Sequence, residues 1–382
     1  MPDDGRSAAA DPGSRPAPPR TLVVYGLQPG VVNYGVERMA LATLNGLQPE
    51  YRTLLLAPDG DTHARAAALG MDSATAAGPI GFARRFSRLL WREPQLVFIT
   101  GSVEQSLVAA ALNVAFRRRL AHIHVAHGGP EPVGYARKRW MNWIPAQIIA
   151  VSDYVRRRLI AHGVRGQRIV VVDNFLEYER AQALSQIAHP SPRKLERVLS
   201  IIKLEPWKRP HLILDAIDAR PELQAISFTV LGEGDLLEEL RERAAARYPN
   251  VRFVGYAEAD EELRGADLLL HPNPEEPFGL VVIEAMFAGV PVLVPDGGGA
   301  GDLVTDGVTG YRFTADDATS LAERLVALAS APGDELEATA QRARAQAAEK
   351  YDPRRQLGSY RAHFEPLLAR SQKANARGES RS

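Results

Sequence analysis

The 382-residue sequence contains no cysteine, which removes disulfides, thiolate nucleophiles and cysteine-ligated metals together and fits a reducing, cytoplasmic setting. It also lacks an excess of charge. Lys plus Arg and Asp plus Glu stand at 46 each, so no global field calls for nucleic acid or an acidic surface. No apolar run approaches the ~20 residues that cross a bilayer, and the opening MPDDGRSAAADPGSRPAPPR is polar where a signal peptide has an apolar centre. Residues 1–20 and 372–382 read as disordered tails, because neither holds enough apolar surface to offset the entropy of ordering it. The remainder is ordinary globular material, 45% apolar and 24% charged, enough for two cores at about 150 residues per domain.

Between the tails, short apolar runs alternate with longer segments of helical period, the pattern of βαβ units and a mainly parallel sheet. Strands are predicted at 21–26, 51–57, 96–100, 122–126, 147–151 and 168–173. The proline-bearing stretch LSQIAHPSPRKLE (184–196) breaks the rhythm. A second series follows at 197–202, 226–232, 250–255, 267–271 and 291–295. The expected fold class is therefore α/β, with two doubly wound, Rossmann-like domains (21–188 and 189–352), a helix over 353–371 packing back on the first domain, and a cleft between two facing sheets.

The segment HPNPEEPFGLVVIEAMFAGVPVLV (271–294) closes one of these strands, turns, and opens a helix. Glu276 falls just ahead of the helix and Glu284 about a turn and a half inside it, so the two carboxylates approach a ligand from different elements. The N–H groups of Phe278, Gly279 and Leu280 make an anion site, and Gly279 lets a ligand approach the backbone. A phosphate held there places Glu276 against the neutral, hydroxyl-bearing part of the ligand. The bland alternative makes Glu276 a cap and Glu284 a solvated helix residue; the apolar flanks of Glu284 speak against it.

This segment resembles the Glu-x7-Glu signature of glycosyltransferase family 4, retaining nucleotide-sugar enzymes of GT-B fold. The likeness extends to GGGAGDLVTDGVTGYRF after it, and to IIKLEPWKRPHLILDAI, IIAVSDYVRRRLIAHGV and VVVDNF, over about residues 21–365. The resemblance implies that Glu276 contacts donor-sugar hydroxyls, Glu284 the ribose, and Lys208 the diphosphate. Lys203 stands where the family has arginine, keeping the charge but losing the planar fork. NYGVERMALATLNGL resembles the Gly-rich first loop, with Gly35 opening a helix and Tyr34 replacing a glycine; Tyr34 either crowds the site or meets the acceptor, and Gly35 otherwise serves as a turn. His127, in HIHVAHGG, matches the histidine that reaches the donor sugar. Tyr256 lies in FVGYAE, where the family's backbone contacts the base.

The reaction so implied moves a sugar from a nucleotide diphosphate sugar to an acceptor hydroxyl with retention, without a protein nucleophile, a cofactor or a metal. A three-histidine metal site (His122, His124, His127) is conceivable but lacks carboxylate or cysteine partners, and DGD (59–61) reads as a turn. Residues 81–165 hold fourteen Lys or Arg against four acidic residues. That bias leaves three readings open: an anionic small-molecule acceptor, peripheral attachment to the inner membrane face through FARRFSRLLWR with a lipid or glycan-precursor acceptor, or merely solvated cationic chains. The Ala/Arg-rich tails suggest a GC-rich coding sequence and, with it, a specialised metabolite such as an aminocyclitol antibiotic as acceptor. Outside this class stand an epimerase or phosphorylase on the same fold, and a non-catalytic nucleotide-sugar binder.

Overall fold

Runs rich in Val, Ile and Leu form strands because both faces of a parallel sheet are covered by helices. The computed structural model describes residues 21–28, 35–48, 50–58, 60–129, 133–189 and 194–379. In the first sheet the strands are β1 (Leu22–Gly26), β2 (Arg52–Ala57), β3 (Asp72–Thr75), β4 (Leu96–Thr100), β5 (Ala121–Ala126), β6 (Gln147–Ala150) and β7 (Ile169–Val171). They lie in the order β3-β2-β1-β4-β5-β6-β7, with Val24 in register with Leu54 on one side and Phe98 on the other. The second sheet holds β8 (Arg197–Ile201), β9 (Ser227–Leu231), β10 (Val251–Gly255), β11 (Leu268–Leu270), β12 (Val292–Pro295) and β13 (Tyr311–Phe313), ordered β10-β9-β8-β11-β12-β13. Every strand pairing in both sheets is parallel. Strand order reverses between β1 and β4 and again between β8 and β11, which fixes two ligand-binding switch points.

Two strands escape the sequence reading. β3 is Asp-Ser-Ala-Thr and β13 only three residues, each pairs with a single neighbour, and a short edge strand needs no apolar run. The C-terminal helix is also longer than expected. It runs Pro353–Glu379, so a tail does not begin at 372; Ser371 and Asn375 bond to the Arg119 backbone, which ties that turn down. Residues 1–20 and 380–382, Tyr34 and Asp59 lie outside the described residues.

The C-terminal helix follows the second sheet in sequence yet packs on the first, against β4, β5 and the helix Gly35–Leu47. Phe364 meets Tyr51 edge-on at 5.3 Å and Tyr360 meets Phe175 at 6.3 Å. Burying each such ring removes it from water for about 1.5–3 kcal/mol. One continuous cluster of buried apolar side chains runs from Val23 and Val97 through Phe278, Val282 and Ile283 to Tyr351 and Phe364, so the two units share a core along one flank. Among the described residues no helix is long and apolar enough to cross a membrane.

Candidate functional site

The turn after β11 is built by Asn273. Its Oδ1 accepts from the Glu275 N–H at 3.1 Å while its Nδ2 donates to Glu276 Oε2 at 3.1 Å, an Asx turn that also aims the glutamate. The Lys208 ammonium donates to the same oxygen at 2.6 Å, and His271 Nε2 lies 3.4 Å from it. Burial raises the Glu276 carboxyl, but the Lys208 charge and the His271 contact more than reverse this and hold it far below the usual carboxylate range. Lys208 arrives on the short turn Pro206–Lys208, 4.0 Å over the Trp207 ring, and the chain then leaves through Arg209 at φ 59°.

Lys203 takes a different partner from Lys208. It donates to Glu205 Oε1 at 3.0 Å while Trp207 Nε1 donates to Oε2 at 2.5 Å. The two lysines therefore flank one turn with separate carboxylates.

The helix beyond Glu276 begins at Leu280, not Phe278, because Gly279 adopts φ 100° as its N-cap. Phe278 turns its ring into the core, 5.8 Å and edge-on to Tyr351, and is buried. The glycine run that follows is explained by contact: a Cβ on Gly299 would stand 2.2 Å from Pro277 O, and the Gly299 N–H donates to Glu276 O at 2.6 Å.

Glu284 is not a solvated residue. It is 3% exposed, and its Oε1 accepts from Arg38 Nη2 at 2.5 Å and Arg180 Nε at 3.4 Å. Arg38 stands on the helix that Gly35 opens, and a Cβ on Gly35 would lie 3.3 Å from Leu280 Cδ1, so the two helix starts face each other across the units. Tyr256 is 72% exposed after β10, with its hydroxyl donating to Glu258 at 3.2 Å.

His127 follows β5 and sits 3.1 Å from the Tyr25 hydroxyl through Nε2. Burial, with the Lys138 charge, pushes its imidazole down to about 3, so it is neutral at physiological pH. Gly128 at φ 79° brings the backbone against Pro277, and Ser152 caps the helix Asp153–Ala161 while donating to Pro277 O at 2.6 Å. The His127 and Glu276 loops are thereby in contact. His122 and His124 instead share Ser106 Oγ at 3.2 and 3.1 Å inside the first core, apart from the Tyr25 contact of His127. Among the described residues no group of three or more His, Asp or Glu is placed to hold a metal.

The expected basic face is partly spent inside the fold. Lys138 is buried, Arg137 pairs with Glu104 at 2.5 Å, Arg157 with Asp302 at 2.7 Å, and Arg118 bonds main-chain carbonyls. Arg84, Arg85, Arg88 and Arg92 remain exposed on the helix Gly78–Arg92, near Ile80 (84%) and Trp91 (77% exposed). Beside that helix, at the carboxyl ends of β1, β3 and β4, Ala76, Pro79, Phe82 and Val108 wall a recess whose polar edge is Gln28 and Glu104. Ser102 also lines it, and the adjoining Gly101 packs on the His127 ring.

Sequence reasoning missed Tyr25, Arg38, Arg180 and Asn273. Asn273 could have been found, since Asn-Pro-Glu is turn chemistry; the other three leave no local signal because their partners are 102, 246 and 104 residues away.

Comparison with known proteins gives two family models end to end: Glycosyltransferase Family 4 over residues 34–180 and Glycosyl transferases group 1 over 182–347. The chain is 33% identical over 186 residues to a phosphatidyl-myo-inositol mannosyltransferase of Mycobacterium leprae, covering 47% of this chain and 49% of that one. It is 36% identical over 145 residues to a D-inositol 3-phosphate glycosyltransferase of Streptomyces scabiei, covering 34% and 32%. The chain thus spans about half or less of the length of the curated relatives it matches. Similar solved structures include Anabaena HepE in complex with UDP, with a TM-score of 0.77 at 19% identity over 91% of this chain and 100% of that one. Sucrose-phosphate synthase from Thermosynechococcus elongatus gives 0.74 at 16%, over 92% and 100%. Two contiguous family models on a two-sheet frame that these structures share lead to one conclusion: the chain belongs to the group 1, family 4 glycosyltransferases of GT-B fold.

Proposed function

We propose that the protein transfers a glycosyl group from a nucleotide diphosphate sugar to an acceptor hydroxyl, with retention of configuration and no metal. The observation that carries this reading is the Lys208–Glu276 pair beside the Leu280 helix start, where a cation, a carboxylate and main-chain N–H groups converge. In the reaction the C1–O bond to the β-phosphate breaks, the acceptor oxygen bonds C1, and its proton passes to the departing phosphate oxygen on the same face. Lys208, Lys203 and the N–H groups of Gly279 and Leu280 stabilise the growing diphosphate charge. Glu276 and neutral His127 hydrogen-bond the sugar, and Glu284 the ribose. Tyr256 lies toward the base.

The acceptor enters from the recess beside Ser102. Its described lining carries one carboxylate, Glu104, already paired with Arg137 at 2.5 Å, and no Lys or Arg, a near-neutral wall that favours a hydroxylated ring such as a cyclitol or aminocyclitol over a phosphorylated one. Exposed Ile80 and Trp91 among four arginines favour a second reading, a cytoplasmic enzyme docked on an anionic membrane and acting on a lipid-linked acceptor. The names of the mycobacterial and streptomycete relatives share an inositol-like ring with both readings, although each of those rings carries a phosphate.

The test begins with a panel of nucleotide sugars screened by thermal shift, since binding to the native state raises Tm. The stabilising donor is then offered with cyclitol and lipid acceptors while nucleoside diphosphate release is followed, with and without chelator. Acceptor-dependent release, lost in Lys208→Ala and Glu276→Ala proteins that remain folded, is the expected result. Donor binding without release for any acceptor would identify a binder instead; full activity in either variant would remove the site assignment.

A further inference from the structure

Glu284 occupies a nine-residue helix whose other members are all apolar, and from Val282 to Ala288 all are buried. A carboxylate in such surroundings needs a cation, because an unpaired buried charge is strongly unfavourable. Its described cations come from outside its own sheet. Arg38 projects from the helix Gly35–Leu47 of the first unit, and Arg180 from the connecting helix Tyr178–Ser185, where it also pairs with Asp260. Both arginines bond Oε1, and neither donates to Oε2. The carboxylate is therefore divided, one oxygen held by arginines and the other left for a ligand hydroxyl.

We propose that Arg38 is a positioning residue that reaches across the cleft to orient Glu284, so that nucleotide binding by the second unit depends on apposition of the first. This rests on Glu284 being a ribose contact. Arg180, itself held by Asp260, supplies one half of the grip from the connecting helix, and Arg38 supplies the half that comes from the first unit. Because the arginines and the ribose take different oxygens, Arg38 assists the nucleotide and does not compete with it.

Calorimetric titration with UDP, GDP and ADP tests this on the full chain. With whichever nucleotide binds the unaltered protein most tightly, Arg38→Ala is expected to weaken Kd about tenfold, and Arg38→Lys to recover part of the loss by restoring charge without the fork. Arg38→Gln, which keeps the stem, gives the same loss should the alanine variant fold poorly. In a Glu284→Ala background, where Kd is already weakened, Arg38→Ala should add less than about twofold, because the two residues act as one unit. An unchanged or tighter Kd in Arg38→Ala, or an undiminished effect in the double variant, overturns the proposal while leaving Glu284 its role. An unchanged Kd in Glu284→Ala alone, or no binding by the unaltered protein, overturns the ribose assignment and this inference with it.

Discussion

At the scale of single residues the site is a set of pre-formed charge pairs. Lys208 and Glu276 neutralise each other at 2.6 Å, and on the proposed reading a diphosphate bound beside them would draw on the same ammonium that the carboxylate now holds. Removing one partner therefore has opposite effects on nucleotide affinity according to which is removed. Glu276→Ala frees Lys208 and is expected to tighten binding of free nucleoside diphosphate several-fold while transfer is lost. Lys208→Ala leaves a buried carboxylate next to the phosphates and should weaken the same binding by about tenfold or more. Calorimetry on both variants checks the signs, and equal weakening in both would mean that the pair does not compete with phosphate. His127 is held neutral by burial, so it offers a hydrogen bond rather than a charge across the physiological range.

At the scale of elements, β5 carries the clearest pH dependence. Burial pushes His122 down to about 3 and His127, just beyond the strand, to about 3, against 6.5 for an unperturbed histidine; His124 is lowered in the same direction. A depressed folded-state value means that the unfolded chain takes up these protons first. Stability is thus complete above about pH 6.5 and falls as pH drops toward 3, the folding equilibrium losing about a factor of ten per pH unit for each of His122 and His127, with His124 acting in the same direction. Urea denaturation at pH 7, 6, 5 and 4 should show this decline; a flat profile would place these rings in water. Elements of this kind were the legible part of the sequence. Most five- and six-residue apolar runs, such as LVFIT, gave their strands to within a residue, because burial on both faces writes itself into composition; the run at 168–173 overshot its edge strand Ile169–Val171 by two. β3 and β13 were hidden because an edge strand is held by one neighbour's backbone and needs little from its side chains. In the site, Glu276 and Glu284 could be singled out from spacing and flanks, whereas Tyr25, Arg38 and Arg180 depend on contacts between distant segments that no local pattern encodes.

For the whole molecule, the decisive feature is that the first sheet borrows its cover from the end of the chain. Tyr360 and Phe364 are buried against Phe175 and Tyr51, and the Tyr51 hydroxyl donates to Glu365 at 2.8 Å. A fragment ending at residue 189 exposes that apolar flank and is expected to be insoluble or to lack a cooperative melt. Adding a peptide of residues 353–379 should restore a sharp transition in circular dichroism, and a cooperative fragment without it would show that the helix is dispensable. The same return path makes the chain cross between the units twice, and the crossings lie side by side: Asp173, just after β7, is 3.7 Å from Lys350, just before the final helix. Two strings tied at one edge act as a hinge pin. They remove sliding and twisting from the relative motion and leave a swing about that edge; Arg38, which shares a pocket with Phe175, Glu177 and Arg180 on the segment leading away from Asp173, lies close to the pin and moves least, while the rim away from it travels furthest for each degree of opening.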